Sequence, residues 1–302
     1  MDIDNLHPGW ALRTEVNQER IAGERVRALA VTLGLPADWV DGAPLPPGWQ
    51  WLFFNPVVPR DALGADGHPR RDAPGSLLPP VSLPRRMWAG SRIRYLRDVV
   101  IGSQAVQRSR VLKLANKEGR SGKLCFLTVE HRLQVNGEEC VVEEQDIVYR
   151  EANSSSVRAS PSSPDALVEF SKRVTANSVL LFRYSALTFN GHRIHYDKPY
   201  ACDVEGYRNL VVHGPLCATL LQNFVRACCP GRRIADFEFK GVSPVFADET
   251  FELQAWADAA DENRLFMRVI DTHGALAMQA SARLEGASSA GSRPIIAAAQ
   301  IC

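Results

Sequence analysis

Apolar and polar residues follow one another in a pattern that predicts two successive blocks of helix and strand. In the first block, apolar positions near one face predict a helix in the later part of 13–34, and an aromatic run predicts a strand over 49–54. The stretch 59–90 is rich in Pro, Gly and Arg without a period, which predicts a long loop. Four strands are expected after it, at 91–98, 104–117, 122–135 and 140–150, with Asn136-Gly137 as a hairpin turn.

The second block repeats this composition of elements. A strand is predicted near 166–174, followed by the segment 179–188 and a polar stretch. Apolar residues at helical spacing predict a helix from about 214 to 228, with Pro215 in its first turn. One helix and several antiparallel strands in each block indicate an α+β fold with two similar halves. The strands expected after the second helix are 232–242, 249–259, 264–271 and 275–284.

A stretch rich in Ser and Pro is the clearest boundary in the chain. It covers 152–165 and has the composition of a linker. We therefore predict an N-terminal domain at 1–151, this linker, and a C-terminal domain at 166–302.

Composition removes several function classes. The net charge of +1 over 302 residues gives no electrostatic reason to expect nucleic acid or a membrane surface as a partner. No run of 18 apolar residues is present, and the acidic N-terminus lacks the apolar region of a secretory signal. The seven cysteines follow no CxxC pattern, and no His/Cys cluster has zinc spacing. We expect reduced thiols, a cytoplasmic location and no metal.

Two polar segments carry the candidate chemistry. Segment 183–200 brings amides, imidazoles and a carboxylate into a short stretch, and segment 207–216 places a His-Gly-Pro turn at the start of an apolar helix. Free backbone N–H groups at a helix start can stabilise an oxyanion. A group that transfers protons, followed by a turn that stabilises an anion, suits chemistry next to a carbonyl.

These segments resemble the hydratase motif of the MaoC-type dehydratase/hydratase superfamily. One position departs from that motif, because the superfamily's Asp falls on Asn190. The positions that match in order and spacing are Ile194-His195, Asp197, Tyr200-Ala201 and His213-Gly214.

The form of the motif that contains Asn is similar to one sub-family. That sub-family holds mesaconyl-C4-CoA and itaconyl-CoA hydratases and the mitochondrial 3-hydroxyacyl-thioester dehydratase type 2. Segments 83–91 and 145–150 also look like it, and the resemblance covers about residues 45–250. It implies a double hotdog fold, in which each of two antiparallel sheets wraps around a central helix and the C-terminal domain contains the catalytic motif.

The resemblance implies a role for each of three residues in hydration. His195 is expected to act as the acid/base group, because an imidazole titrates near neutrality. Asn190 cannot be a base, but its amide can hold the water or orient His195. The backbone N–H of Gly214 is expected to stabilise the enolate oxygen of the thioester.

Further residues are candidates for substrate binding, each with an alternative. Arg85 and Arg86 are expected to bind a carboxylate of the acyl group or CoA phosphates, although a solvated surface pair is nearly as common. His192 is a second proton carrier or contacts CoA, and Asp197 braces an imidazole or caps local backbone. For both residues we favour a role in supporting the structure. The other two candidates are His213, which contacts substrate or only shapes its turn, and Trp88, which lines an acyl pocket or packs in the core.

We therefore predict a hydratase that adds water to the C=C of a short branched dicarboxylic enoyl-CoA. Itaconyl-CoA and mesaconyl-C4-CoA, hydrated to citramalyl-CoA, are the expected substrates, and CoA enters only as part of the substrate, without a separate cofactor. One alternative is a (3R)-3-hydroxyacyl-thioester dehydratase of fatty-acid synthesis. A non-catalytic protein that binds acyl-CoA and a hotdog thioesterase are two others. Monomer and homo-oligomer both stay open.

Overall fold

The computed structural model describes Trp10 and residues 13–72, 75–119, 122–152 and 168–286. In this part of the chain a ten-stranded sheet is accompanied by three α-helices. Short turns of 3₁₀-helix cover Trp49–Leu52, Arg60–Ala62 and Arg193–His195, and a π-helical turn covers Tyr200–Val204. The elements are, in chain order, β1 (Thr14–Arg20), α1 (Gly23–Thr32), β2 (Arg85–Tyr95), β3 (Gln104–Gly119), β4 (Gly122–Val135), β5 (Glu138–Arg150), β6 (Phe170–Thr175), α2 (Ser178–Leu187), α3 (Gly214–Cys228), β7 (Arg233–Gly241), β8 (Thr250–Ala257), β9 (Arg264–Ile270) and β10 (Leu276–Glu285).

The sheet is antiparallel and continuous from one half of the chain to the other. Its strand order is β1-β3-β4-β5-β2-β7-β10-β9-β8-β6, so the strands before residue 152 lie on one side and those after residue 168 on the other. The two sets join through β2 and β7, with Gly90 opposite Lys240 and Arg94 opposite Asp236. A side chain at Gly90 would overlap the carbonyl oxygen of Phe239, so the junction requires glycine there.

The predicted hairpin between β4 and β5 is confirmed. Asn136 and Gly137 have φ angles of 51° and 80°, and Val135 pairs with Glu138 on either side of them. Two successive positive φ angles are what a type I′ turn requires, and Asn-Gly adopts them at low cost.

Helix α3 is the central helix of the C-terminal half. It has the bounds that the sequence predicts, and its Leu216, Leu221 and Val225 are almost fully buried. It packs against strands β2, β7, β8 and β9, so strands from both halves contact the same helix. Its first residue, Gly214, lies beside β2, since a Cβ there would be 3.8 Å from the Trp88 carbonyl oxygen.

Three segments differ from the sequence predictions. In the aromatic run 49–54, Trp49–Leu52 form a 3₁₀ turn rather than a strand, because Trp49 and Leu52 both pack inward. Residues 85–90 belong to β2 and not to the long loop. The segment 179–188 falls in helix α2, which Asn177 caps by accepting a hydrogen bond from the Leu180 N–H at 2.9 Å, so the C-terminal half has two helices and not one.

The remaining predicted helices and strands agree in type with the observed elements. The helix in the later part of 13–34 is α1, and the residues before it form β1, which pairs with β3. The linker at 152–165 falls almost wholly outside the described residues, and the domain boundaries that depend on it stay predictions. No helix in the described part of the chain combines the length and the apolarity needed to cross a bilayer.

Candidate active site

A cavity of about 1310 Å³ lies between the two sets of strands and is lined by residues of both. It brings together most of the residues that the sequence singled out. Asp197 and His213 are not among the lining residues. The predicted residues that do line it are Arg85, Arg86, Trp88, Asn190, His192, His195 and Gly214.

The loop after α2 has a fixed local shape. The side-chain Oδ1 of Asn190 accepts a hydrogen bond from the His192 N–H at 2.9 Å, which is the closure of an Asx turn. Ile194 is buried directly after it, and its carbonyl accepts from the Val211 N–H at 3.0 Å. The amide of Asn190 is thus partly used to hold the loop, while its NH₂ group donates to no described residue and the side chain is half-buried on the cavity wall.

His195 is buried and held in one tautomer. Its Nδ1 lies 2.7 Å from the carbonyl oxygen of Val211. A carbonyl can only accept, so Nδ1 carries the proton and Nε2 has the free lone pair. Burial lowers the pKa of His195 to about 4, against the hydrogen bond to Val211, which raises it. The imidazole is therefore neutral at pH 7 and able to accept a proton at Nε2.

Gly214 is the first residue of α3, so its N–H has no partner within the helix. No acceptor contacts this N–H in the described part of the chain. The nearest atom to a side chain at this position would be the carbonyl oxygen of Trp88, at 3.8 Å, so the space beside Gly214 opens into the cavity. The helix dipole adds to the positive potential at this N–H. The position can stabilise an oxyanion.

His195 and Gly214 are linked through His213. The rings of His195 and His213 stack with centroids 3.6 Å apart and planes 19° apart, and His213 is the residue that precedes α3. His213 is fully buried, and its Nε2 lies 2.8 Å from the Ser185 hydroxyl. These contacts support the view that His213 shapes the turn.

A row of imidazoles extends from His213 across the site. The ring centroids of His195 and His192 are 5.4 Å apart, and those of His192 and His68 are 4.2 Å apart. Burial is the largest cause that lowers the pKa of all four rings, and neighbouring imidazoles lower it further in the three from the C-terminal half. Three buried imidazoles and the half-buried His68 are thus kept mainly in their neutral form before substrate binds.

His68 was not among the predicted site residues. It lies in the long loop that precedes β2, and its Nδ1 is 3.2 Å from Oδ2 of Asp66. The loop packs directly on the motif segment, because the Arg193 N–H donates to the Asp66 carbonyl at 2.9 Å and a side chain at Gly67 would overlap the Gly191 carbonyl oxygen. The length of the loop and its Gly-His-Pro sequence were the available signals, but they do not indicate contact with residues so distant in the chain.

The two candidate arginines differ in their partners. Arg85 forms an ion pair with Glu205, with Nε and Oε2 3.3 Å apart and both side chains more than four-fifths buried. The guanidinium of Arg86 forms no hydrogen bond or ion pair with a described residue, and the residue is half-buried in the cavity wall. Arg85 is therefore neutralised within the protein, and Arg86 is free to bind an anionic group.

Aromatic side chains form another wall of the cavity. Trp88 packs edge-on against Trp51 with ring centroids 5.2 Å apart, and its Nε1 donates to the Ser91 hydroxyl at 2.9 Å. Ser91 and Trp51 both donate to the buried carboxylate of Glu143, at 2.6 and 2.9 Å. This network fixes the ring of Trp88, and Glu143 is a second cavity residue that sequence reasoning missed.

Asp197 supports the loop. It accepts two hydrogen bonds from the Arg193 guanidinium, at 2.9 and 2.7 Å, and one from the Tyr200 N–H at 3.1 Å. The hydrogen bond from Arg193 is the largest cause that lowers the pKa of Asp197. Its substrate-binding role stays a prediction, while its structural contacts are direct.

One cluster offers ligand atoms for a metal ion. Asp66, His68 and His192 each present a ligand atom within 4.8 Å of the other two. The guanidinium charges of Arg86 and Arg71 act on His68 and oppose a bound cation there. The spacing of residues in the sequence does not indicate this cluster, because its members come from two distant segments.

Comparison with known proteins identifies the family. Residues 48–247 match the protein family described as hydroxyacyl-thioester dehydratase type 2. The matched region is most of the chain, and it includes the motif and both candidate arginines. The chain belongs to this family. The match extends from the start of the 3₁₀ turn at Trp49 to beyond helix α3, so it includes the loop that carries His68.

Curated relatives agree with the family. A mesaconyl-C4-CoA hydratase of Chloroflexus aurantiacus is 40% identical over 280 residues, which is 92% of this chain and 97% of that protein. A mitochondrial hydroxyacyl-thioester dehydratase type 2 of Schizosaccharomyces pombe is 27% identical over 69% of this chain and 77% of its own length. The protein is a hydro-lyase, as predicted.

Solved structures confirm the predicted hotdog fold. A MaoC-like dehydratase of Phytophthora capsici superposes with a TM-score of 0.66 at 14% identity, over 91% of this chain and 96% of its own. HtdX of Mycobacterium tuberculosis superposes with a TM-score of 0.61 at 16% identity, over 90% and 99% of the two chains.

Proposed function

We propose that this enzyme adds water across the double bond of a 2-enoyl-CoA whose acyl group is a short branched dicarboxylic acid, with mesaconyl-C4-CoA as the first candidate substrate. The observation that carries the proposal is the shared cavity, into which a neutral His195 and the unpaired N–H of Gly214 both project. The 40% identity to a mesaconyl-C4-CoA hydratase over nearly the whole of both chains supports the choice of acyl group.

The first step is the transfer of a proton from water to His195. Nε2 accepts this proton as the water oxygen bonds to the β-carbon of the enoyl group. The hydrogen bond from Nδ1 to the Val211 carbonyl keeps Nε2 available and stabilises the imidazolium that forms. A base of this kind contributes about 10²–10⁴-fold to the rate.

The electrons of the double bond move to the thioester oxygen as the C–O bond forms. The N–H of Gly214, with the dipole of α3 behind it, donates to the resulting enolate oxygen. The imidazolium of His195 then returns its proton to the α-carbon, and the enolate collapses to the saturated thioester. The sum is one water added, with no electron gained or lost, so the step requires no redox cofactor, and the scheme uses no metal.

Asn190 has a positioning role in this scheme. Its Oδ1 holds the loop through the His192 N–H, and its free NH₂ group is available to donate to the attacking water. His192 stands between His195 and His68 and completes the wall on the β-carbon side. Trp88 and its partner Trp51 form the apolar wall.

A second candidate is the dehydration of a (3R)-3-hydroxyacyl thioester of fatty-acid synthesis. The description of the matching family and the yeast relative favour it. The same residues serve that reaction in reverse, because the acid and base steps are microscopically reversible. This second candidate differs from the first proposal in its substrate, whose acyl chain is neutral and longer.

The test is turnover of purified protein with mesaconyl-C4-CoA, crotonyl-CoA and 2-octenoyl-CoA, measured by the loss of enoyl-thioester absorbance. We expect the highest kcat/KM for mesaconyl-C4-CoA, and a product heavier by one water. A preference for 2-octenoyl-CoA would favour the dehydratase, and release of free CoA would indicate a thioesterase. Binding of all three thioesters without turnover would contradict an enzymatic role. A reaction rate lowered by EDTA would contradict the proposal that no metal is needed.

Location and assembly complete the proposal. We expect the enzyme to work in the cytoplasm, as a monomer or as a homo-oligomer. Sedimentation of the purified protein measures the assembly state.

A further inference from the structure

Arg86 is an unpaired cation on the cavity wall. Its neighbour Arg85 is neutralised by Glu205, at 3.3 Å. Arg86 has no such partner among the described residues, although it is half-buried and lines the cavity. A partly desolvated guanidinium has a strong preference for a carboxylate or phosphate, to which it can donate two parallel hydrogen bonds.

Two imidazoles line the same cavity as this guanidinium. His68 and His192 have ring centroids 4.2 Å apart. Burial is the main cause of the lowered pKa of both rings, and the charge of Arg86 lowers it further in each. Arg86 is therefore close enough to influence both. A bound anion would act in the opposite direction and would favour their protonated, donating forms.

Two other charged groups near these rings, Asp66 and Arg71, are held by contacts within the protein. Asp66 accepts from Nδ1 of His68 at 3.2 Å, which orients that ring. Arg71 donates to the Leu83 carbonyl at 3.0 Å, and its guanidinium lies 4.9 Å from the ring centroid of Tyr149. Arg86, His68 and His192, called here the Arg86 cluster, are thus the groups available to an anion at this point of the wall.

The cluster is next to the base. The ring of His192 is perpendicular to that of His195, with centroids 5.4 Å apart. In the proposed reaction, His195 activates the water that bonds to the β-carbon. An anion bound by the cluster must therefore belong to a group attached at or very near that carbon.

We propose that the Arg86 cluster binds a carboxylate attached directly to the β-carbon of the acyl group. This inference rests on the proposed function and narrows its substrate class to thioesters with this arrangement, which the C4 thioester of mesaconate has. Because His68 comes from the loop that precedes β2, the N-terminal half supplies part of the acyl specificity of a motif that lies in the C-terminal half.

The test uses two saturated thioesters that cannot be hydrated. Succinyl-CoA carries a carboxylate on its β-carbon, and butyryl-CoA carries a methyl group there. Calorimetric titration gives the Kd of each for wild type, Arg86→Met, Arg86→Lys and the control Arg70→Met. Arg70 also lines the cavity, but it is exposed and already pairs with Asp72 at 3.1 Å. Circular dichroism checks that every variant is folded.

The measured quantity is the ratio of the two dissociation constants. Wild type should bind succinyl-CoA about 10- to 100-fold more tightly than butyryl-CoA, as a charged hydrogen-bonded contact provides. Arg86→Met should reduce this ratio to within about 3-fold of unity, Arg86→Lys should give an intermediate ratio, and Arg70→Met should keep the wild-type ratio.

A wild-type ratio near unity, an unchanged ratio in Arg86→Met, or an equal fall in Arg70→Met would overturn the inference. Failure of the proposed function is distinguishable from these results. A protein that hydrates no enoyl-CoA but binds succinyl-CoA preferentially through Arg86 would reject the hydratase and keep the carboxylate site. A protein that hydrates crotonyl-CoA well and shows no preference for succinyl-CoA would keep the hydratase and reject the site.

Discussion

The imidazole of His195 lies parallel to that of His213, with ring centroids 3.6 Å apart. His213 is the residue before helix α3, so this stacked pair joins the proposed base to the helix whose first N–H is the proposed oxyanion donor. The Ser185 hydroxyl lies 2.8 Å from Nε2 of His213 and holds that ring in place. The spacing between proton transfer and oxyanion stabilisation is thus set by one buried contact and not by a flexible loop.

Replacing Gly214 by Pro should remove the oxyanion donor without unfolding the helix. Proline is accepted in the first turn, and His213, at φ −60° and ψ 131°, already has the extended conformation that a residue before proline prefers. Position 214 itself precedes Pro215, so a Cβ there adds a cost to the helix that Gly214→Ala shares. We expect kcat for mesaconyl-C4-CoA to fall about 10²–10³-fold with Tm near that of Gly214→Ala. Steady-state kinetics and thermal unfolding measure both.

The matched control is Gly214→Ala, which keeps the N–H. Its Cβ would lie 3.8 Å from the Trp88 carbonyl oxygen, an ordinary contact, so the helix can accept it. The alanine variant should lose much less activity than the proline variant. Equal losses in the two variants would indicate that bulk beside the thioester, and not the N–H, determines the rate.

Gly67 should be needed for contact between the loop that precedes β2 and the motif. Its φ is +87°, and a side chain there would overlap the Gly191 carbonyl oxygen. We expect Gly67→Ala to lower the free energy of unfolding by about 1–3 kcal/mol and to lower kcat/KM, because His68 moves away from His192. Urea denaturation and steady-state kinetics measure the two effects.

Gly34→Ala separates backbone strain from displacement of the loop. Gly34 has a φ of +68°, and a Cβ added there would have no atom of the described residues within 4 Å, so alanine brings strain alone. This variant should lose some stability and keep its kcat/KM. If Gly67→Ala also kept wild-type kcat/KM, the loop would not contribute to the site.

Acid should destabilise the fold below about pH 6.5. The pKa of His195 is about 4 in the folded protein and 6.5 when the ring is unburied, so between these values the unfolded chain binds more protons. The contribution of neutral His195 to the free energy of unfolding is fully present above pH 6.5 and is lost as pH falls towards 4. This contribution is about 3 kcal/mol, and the lowered pKa values of His68, His192 and His213 act in the same direction.

Urea midpoints at pH 7 and pH 5 measure this dependence. His195→Gln should reduce the difference between the two midpoints, while His273→Gln, in an exposed turn, should leave it as in wild type. A midpoint that rises on acidification would contradict the burial of neutral imidazoles.

Much of the fold was accessible to local patterns. Helix α3 was predicted with its observed bounds, because its apolar face is periodic and Gly214-Pro215 marks its start. The turn at Asn136 was predicted because the dipeptide Asn136-Gly137 is itself a hairpin signal. By contrast, β1 has an almost wholly exposed polar sequence without apolar alternation, and its pairing with β3 is a long-range property.

Local sequence patterns likewise identified only part of the candidate site. The motif residues lie close together in the chain, so a sequence pattern could identify them. His68 was missed because its contact with His192 is tertiary. Adjacent arginines look alike in sequence, and only the ion pair of Arg85 with Glu205 distinguishes it from Arg86.

The central proposal is that His195 transfers the proton in hydration. The most direct measurement compares wild type with His195→Gln, using turnover of mesaconyl-C4-CoA and, for the same preparations, the Kd of succinyl-CoA. We predict that kcat falls about 10²–10⁴-fold while the Kd changes by less than about 3-fold. A variant that retains wild-type kcat would contradict the proposal, as would a loss of turnover fully accounted for by a loss of thioester binding.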